Sequence, residues 1–140
     1  MALGIGVLVA NLVAAGWGAA TWLTKRPRWS IAFWPLLRVA QALVAIQVVL
    51  GLLLVARGAS TPDGLHIAYG IAPLVVSLVS EGMRAGVAQR ELEGVEDLEA
   101  LERSEQIGLA RRVALAEVGV MTVGALLILT LALRAYQTGG

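Results

Sequence analysis

Long apolar runs with at most one charged residue each, broken by polar clusters, set the pattern of this chain. Four runs stand out, at about 2–23, 35–56, 65–83 and 113–133, and the first contains no charged side chain at all. About 20 predominantly apolar residues cross a hydrocarbon core as a helix, so each run predicts a transmembrane span. A membrane barrel would instead show short alternating segments, and four strands cannot close one. The expected fold is an all-α, integral membrane four-helix bundle forming a single domain over residues 1–140.

The connections differ from one another. The second, Arg57 to Gly64 (RGASTPDG), is short and rich in turn formers, which makes spans two and three an antiparallel hairpin. The third, 84–112, crowds together Glu91, Glu93, Glu96, Asp97, Glu99, Glu102 and Glu105. Leu92, Val95, Leu98 and Leu101 recur every three residues within it, the stripe of a helix whose other faces are charged. A long helical connection is therefore expected, bent at Gly94, serving as a solvated arm or as a docking surface for a basic partner.

Basic residues sort the ends of the spans. Lys25, Arg26 and Arg28 follow span one, and Arg84, Arg90, Arg103, Arg111 and Arg112 lie between spans three and four, eight in all, against Arg57 and Arg134 on the opposite side. Lysine and arginine near span ends stay cytoplasmic, so both termini are expected outside. A cleavable signal carries its basic residues before the apolar stretch; here they follow it, which predicts a retained first helix. Trp17, Trp22, Trp29, Phe33 and Trp34 cluster where the first two spans meet the expected inner boundary, as interfacial aromatics do.

Composition narrows the functional classes. Apolar residues reach 58% and charged ones 15% of 140 residues, too apolar for a soluble domain of this size to bury. The net charge of +1 supplies no field for nucleic acid. The chain has no cysteine, which removes disulfides and thiolate metal sites. Ten Arg against the single Lys25, with abundant Ala, Gly, Val and Leu, resembles a bacterial proteome of high GC content, so the expected location is a bacterial cytoplasmic (inner) membrane.

Lipid gives helices no hydrophobic reason to associate, so small residues and polar contacts have to do it. Ala10, Ala14 and Gly18 recur every four residues in span one, with Gly16 and Ala20 as a neighbouring row; either row suits another span or a second copy. Asn11, Gln41 and Gln47 are expected to hydrogen-bond between helices. Pro73 should bend span three or mark a wider part of the bundle. Ionisable groups inside a span need partners. With the hairpin centred between residues 60 and 61, Arg38 falls at the depth of Glu81, and Glu117 starts span four in the same layer. An ion pair of Arg38 with Glu81 or Glu117 is expected, structural in role, with a proton or substrate route through the layer as the alternative.

His66 is the only histidine, placed at the outer end of span three. Tyr69, Gly70, Pro73, Ser77 and Glu81 continue from it at helical spacing and should face the interior. The run Gln47-Val-Val-Leu50-Gly51, followed by an outer loop and Leu65-His66, resembles the Q-x-x-L-G... L-H pattern of haem A synthases over about a quarter of the chain. That family is built from four-helix halves holding haem b, and the resemblance implies His66 as axial ligand, Gly51 as room for the porphyrin, and Gln47 and Tyr69 on the haem face. The family pattern has a second histidine in each half; here a second ligand would come from another copy or from Met1.

Three functional readings follow. One is a non-catalytic accessory or assembly subunit that contacts other membrane subunits or itself. The second is a haem b redox protein using His66. The third is an oligomeric channel or carrier, for which neither a filter nor a charged ring is visible. Hydrolytic or transfer chemistry has no residue set to support it: one histidine builds no zinc site, and no phosphate-cradling glycine loop is present.

Overall fold

The computed structural model describes residues 2–60 and 64–138, without the side chains of residues 65, 66 and 138. It contains α1 (Ala2–Leu23), α2 (Ser30–Ala56), α3 (Gly64–Leu92) and α4 (Arg103–Thr138), with one 3-10 turn, Pro27–Trp29, leading into α2. All four helices are long and apolar enough to cross a membrane. Their 22, 27, 29 and 36 residues correspond to about 33, 40, 43 and 54 Å at the helical rise. Only α1 is close to a hydrocarbon thickness of about 30 Å; the others are longer.

Each helix packs on its neighbour in chain order, α1 closes the ring against α4, and α2 meets α4 across the middle. Among the described residues the backbones of α1 and α3 do not come close, so these helices occupy opposite corners. The α3–α4 and α1–α4 seams are extensive, whereas the α2–α3 seam is slight. Ala15, Phe33, Leu37, Val118, Met121 and Ala125 fill one core, flanked by Trp34, and Val7, Val44 and Ile128 fill a second.

Missing side chains bring the helices this close. A Cβ at Gly18 would lie 2.6 Å from the Phe33 ring and collide with the Thr122 hydroxyl, so α1, α2 and α4 converge there only because the position is glycine. Gly124 meets the Ser80 hydroxyl in the same way on the α3–α4 seam. Of the two small-residue rows in α1, Ala14 and Gly18 are buried in the bundle, while Gly16 is exposed with open space beyond it. Asn11 is buried but bonds within its own helix, its Nδ2 donating to the Val7 carbonyl at 2.9 Å; the expected interhelical bond is not made.

Three left-handed residues stand at helix ends: Lys25 (φ 55°) after α1, Gly58 (φ 86°) after α2 and Gly94 (φ 84°) after α3. Around Lys25 the Arg26 amide donates to the Thr21 carbonyl and the Lys25 amide to that of Trp22; Ala59 and Gly58 donate in the same way to Leu54 and Val55. Both are Schellman ends. Part of the second connection, residues 61–63, lies outside the described residues.

The third connection differs from the expected continuous helix. α3 extends to Leu92 and α4 starts at Arg103, but residues 93–102 form turns, so Leu92, Val95, Leu98 and Leu101 do not share one helical face. Gly94 supplies the left-handed residue that stops α3 rather than bending it. Around it, Glu93, Glu96 and Asp97 would repel one another at helical spacing. The segment is instead held by its own polar bonds: the Asp97 carboxylate accepts from the Glu99 amide, and Gln106 Nε2 donates to the Leu98 and Leu101 carbonyls. α3 passes through Pro73 as one helix, although proline removes the amide that would bond the Tyr69 carbonyl.

Candidate functional site

A charge cluster and, towards the other end, a mostly apolar cleft are the candidate sites of the bundle. The first joins α2, α3 and α4. Glu81 on α3 accepts from Arg38 Nη1 at 2.5 Å, from Gln41 Nε2 at 3.0 Å and from Arg84 Nε at 2.9 Å. Arg38 also donates to Gln41 Oε1 at 2.6 Å, and Arg84 Nη1 carries the network on to Glu117 of α4 at 3.0 Å. The Trp34 ring lies beneath both cations, with the Arg84 and Arg38 guanidinium carbons 5.4 and 6.0 Å from its centroid. A cation over an indole face is attracted by the ring's quadrupole.

The structure thus brings Arg38 and Glu81 together directly, and reaches Glu117 only through Arg84. Arg84 was placed by sequence reasoning among the basic residues of the third connection; its position three residues after Glu81, on the same helical face, is the signal that would have found it. Gln41 contributes as an interhelical bond, reaching from α2 to α3. Each carboxylate is engaged sideways by a cation of its own or another helix, an arrangement that fixes helix positions.

The second feature is a cleft of about 280 Å³ between the far halves of α2 and α3, lined among others by Gln47, Gly51, Val55, Ile67 and Gly70. The buried stripe of α2 runs Phe33, Leu37, Ala40, Val44, Val48 and then stops. From Val49 to Ser60 every residue is exposed. The Oε1 of Gln47 is buried here with no hydrogen-bond partner among the described residues. A buried amide oxygen left unpaired is costly, so the cleft contains an acceptor waiting for a donor.

The residues suggested for a haem face are divided by this geometry. Gln47 and Gly51 border the cleft. Tyr69 is half-buried beside Gly70 and is not among the described lining residues. The His66 side chain and Met1 lie outside the described residues. Further along α3, Pro73, Ser77 and Ser80 are buried, so the small and polar stripe faces inward over that stretch. No group of three or more metal-ligating side chains occurs among the described residues.

Comparison with protein-family models, with curated proteins and with solved structures returns no match to this chain.

Proposed function

We propose that this chain is a multi-pass protein of the bacterial cytoplasmic membrane, with both termini outside, acting as a non-catalytic accessory or assembly subunit. The observation that carries this reading is the contrast along α2: clamped through Arg38 at one end, exposed at every residue from Val49 to Ala56 at the other, with the Gln47 oxygen, unpaired among the described residues, at its edge. Lipid tails satisfy no acceptor. A transmembrane helix with a polar or small-residue face does, because such faces are how helices recognise one another in a bilayer. The basic-residue asymmetry supports the orientation, with the charge cluster on the inner side.

Extraction of the tagged chain from its native membrane in mild detergent, followed by native electrophoresis, tests this. The expected result is migration with a stoichiometric membrane companion that Gln47→Leu or Gly51→Leu releases. Migration of wild type as a lone monomer, unaltered by either substitution, contradicts it.

A second reading, haem b binding, is favoured by one observation: two residues of the haem A synthase-like run, Gln47 and Gly51, border the same cleft. His66 would supply an imidazole and Gly51 the close approach, and the group would bring one-electron redox chemistry. At about 280 Å³ the cleft falls just below the range of small-molecule sites, which starts at about 300 Å³. A reduced-minus-oxidised visible spectrum separates the readings: a haem signal abolished by His66→Ala supports the second, and a featureless spectrum removes it.

A further inference from the structure

The outward side of the α3–α4 seam carries a groove of about 520 Å³, distinct from the α2–α3 cleft. Its walls are almost wholly apolar, with Val79, Met83 and Val87 from α3, Ala116 and Val120 from α4, and Trp22 at the end of α1. Residues 75 to 87 of α3 border it, a length of about 18 Å at the helical rise. Val79, Met83 and Trp22 are substantially exposed, so the groove opens sideways, where the acyl chains of a bilayer lie.

Cations gather at one end of it. Arg112 lies one turn before Ala116 on the same face of α4 and bonds Glu91 of α3 at 3.2 Å, neutralising that carboxylate. Arg111 Nη2 donates to the Lys25 carbonyl at 2.9 Å, joining the start of α4 to the first connection. Lys25, Arg26 and Arg28 are exposed beside it or close by in the chain. Among the described residues, no carboxylate lies within 4.0 Å of Lys25, Arg26, Arg28 or Arg111 as an ion-pair partner.

The end of α1 adds a backbone observation. The left-handed residues after α2 and α3 are glycines, but after α1 the same conformation is held by Lys25. A side chain there is strained, so glycine would be the cheaper residue, yet the position carries an exposed cation one turn beyond Trp22. Trp22 rests over Gly119, with its Nε1 3.0 Å from where a Cβ would stand.

We propose that this groove and its cationic mouth form a binding site for one anionic phospholipid, an acyl chain lying along the α3–α4 groove and the phosphate meeting Arg111 and Lys25. Charge complementarity selects this occupant. The groove is hydrocarbon-like along its length and cationic at the depth where headgroups begin, and basic pockets beside transmembrane helices attract acidic headgroups. The placement rests on the proposed orientation, which puts the mouth on the inner leaflet; it does not depend on the accessory role.

Native mass spectrometry of the purified protein in detergent, supplied with phosphatidylglycerol or phosphatidylcholine of identical chains, tests the site. Wild type is expected to retain one phosphatidylglycerol several-fold in excess over phosphatidylcholine. Arg111→Gln should lower that retention about fivefold, the effect of removing one surface cation. Val79→Trp fills the groove from an exposed position and should lower retention of the bound lipid, while Arg57→Gln at the opposite end of the bundle should leave it unchanged. Equal retention of the two lipids overturns the proposal, as does equal loss in Arg57→Gln and Arg111→Gln. A wild-type dimer that Val79→Trp dissociates also overturns it, because the groove would then be a contact between copies. None of these outcomes alters the companion-release test on Gln47 and Gly51.

Discussion

The two halves of α2 belong to one uninterrupted helix but live in opposite circumstances. In the half that begins at Ser30, a buried residue recurs every three or four positions, and Phe33 and Leu37 sit in the core while Arg38 is tied to α3. In the half beyond Val48 the composition is equally apolar, yet the helix touches little. Apolar character therefore does not decide where a membrane helix is packed. Polar pairs and close-packed small residues decide it: α2 and α3 are fastened where Glu81 draws three donors together, α1, α2 and α4 converge where Gly18 admits the Phe33 ring, and α2 and α3 part beyond Val48, where Gly51 and Gly70 are present but no polar pair among the described residues joins the two helices.

The largest way to break this contrast is to remove the clamp. Glu81→Leu leaves Arg38 and Arg84 without their shared acceptor, although Arg84 keeps Glu117; losing three charge-assisted hydrogen bonds on partly exposed groups costs about 2–3 kcal/mol, and unfolding in mixed detergent micelles measures it. Arg57→Leu in the exposed stretch serves as the charge-removal control, with an effect near zero. Next, Phe33→Ala creates a cavity at the convergence of three helices. Lipid exposure makes the transfer part of the usual cost small, so the packing part remains, about 2 kcal/mol. Leu53→Ala, at a side chain 49% exposed, should cost less than about 0.5 kcal/mol by the same assay.

Glycine substitutions sharpen the comparison further. Gly18→Leu overpacks the α1–α2–α4 convergence and should cost about 1–2 kcal/mol. Gly51→Leu, with nothing within 4 Å of the added Cβ, should leave the isolated protein's stability unchanged while affecting its associations. The smallest expected effect is Gln47→Leu. Because its buried oxygen has no partner among the described residues, replacement should be neutral or stabilising by under about 1 kcal/mol. The same variant should weaken companion binding in native membranes.

Much of this contrast was legible in the chain itself, and the remainder was not for identifiable reasons. Four helices follow from apolar runs of bilayer length with at most one charged residue each. The depth of Arg38 relative to Glu81 follows from counting outward from the hairpin centre. The buried face of each helix is harder to read, because core and lipid are both apolar; in α1 the inner face is marked by Asn11, Ala14, Gly18 and Thr21. Arg84 was obscured because a cation near a span end satisfies the inside-positive pattern whether or not it turns back into the bundle. Leu92, Val95, Leu98 and Leu101, at intervals of three, suggested a helix that Gly94 and the neighbouring acids do not sustain. The cleft at Gln47 arises from where two long helices part, a property of tertiary geometry that no local pattern encodes.

Electron–electron double resonance between spin labels measures the contrast most directly, and the absence of native cysteine makes the two introduced thiols the only ones. One pair, Val39 with Val79, spans α2 and α3 beside the clamp; the other, Leu53 with Ala68, spans the same helices across the cleft. The clamp pair should give a narrow distance distribution that Glu81→Leu broadens, and the cleft pair a broad one that Glu81→Leu leaves unchanged. Distributions of equal width in wild type, with Glu81→Leu affecting neither, would contradict the division of this bundle into a fastened half and an open half.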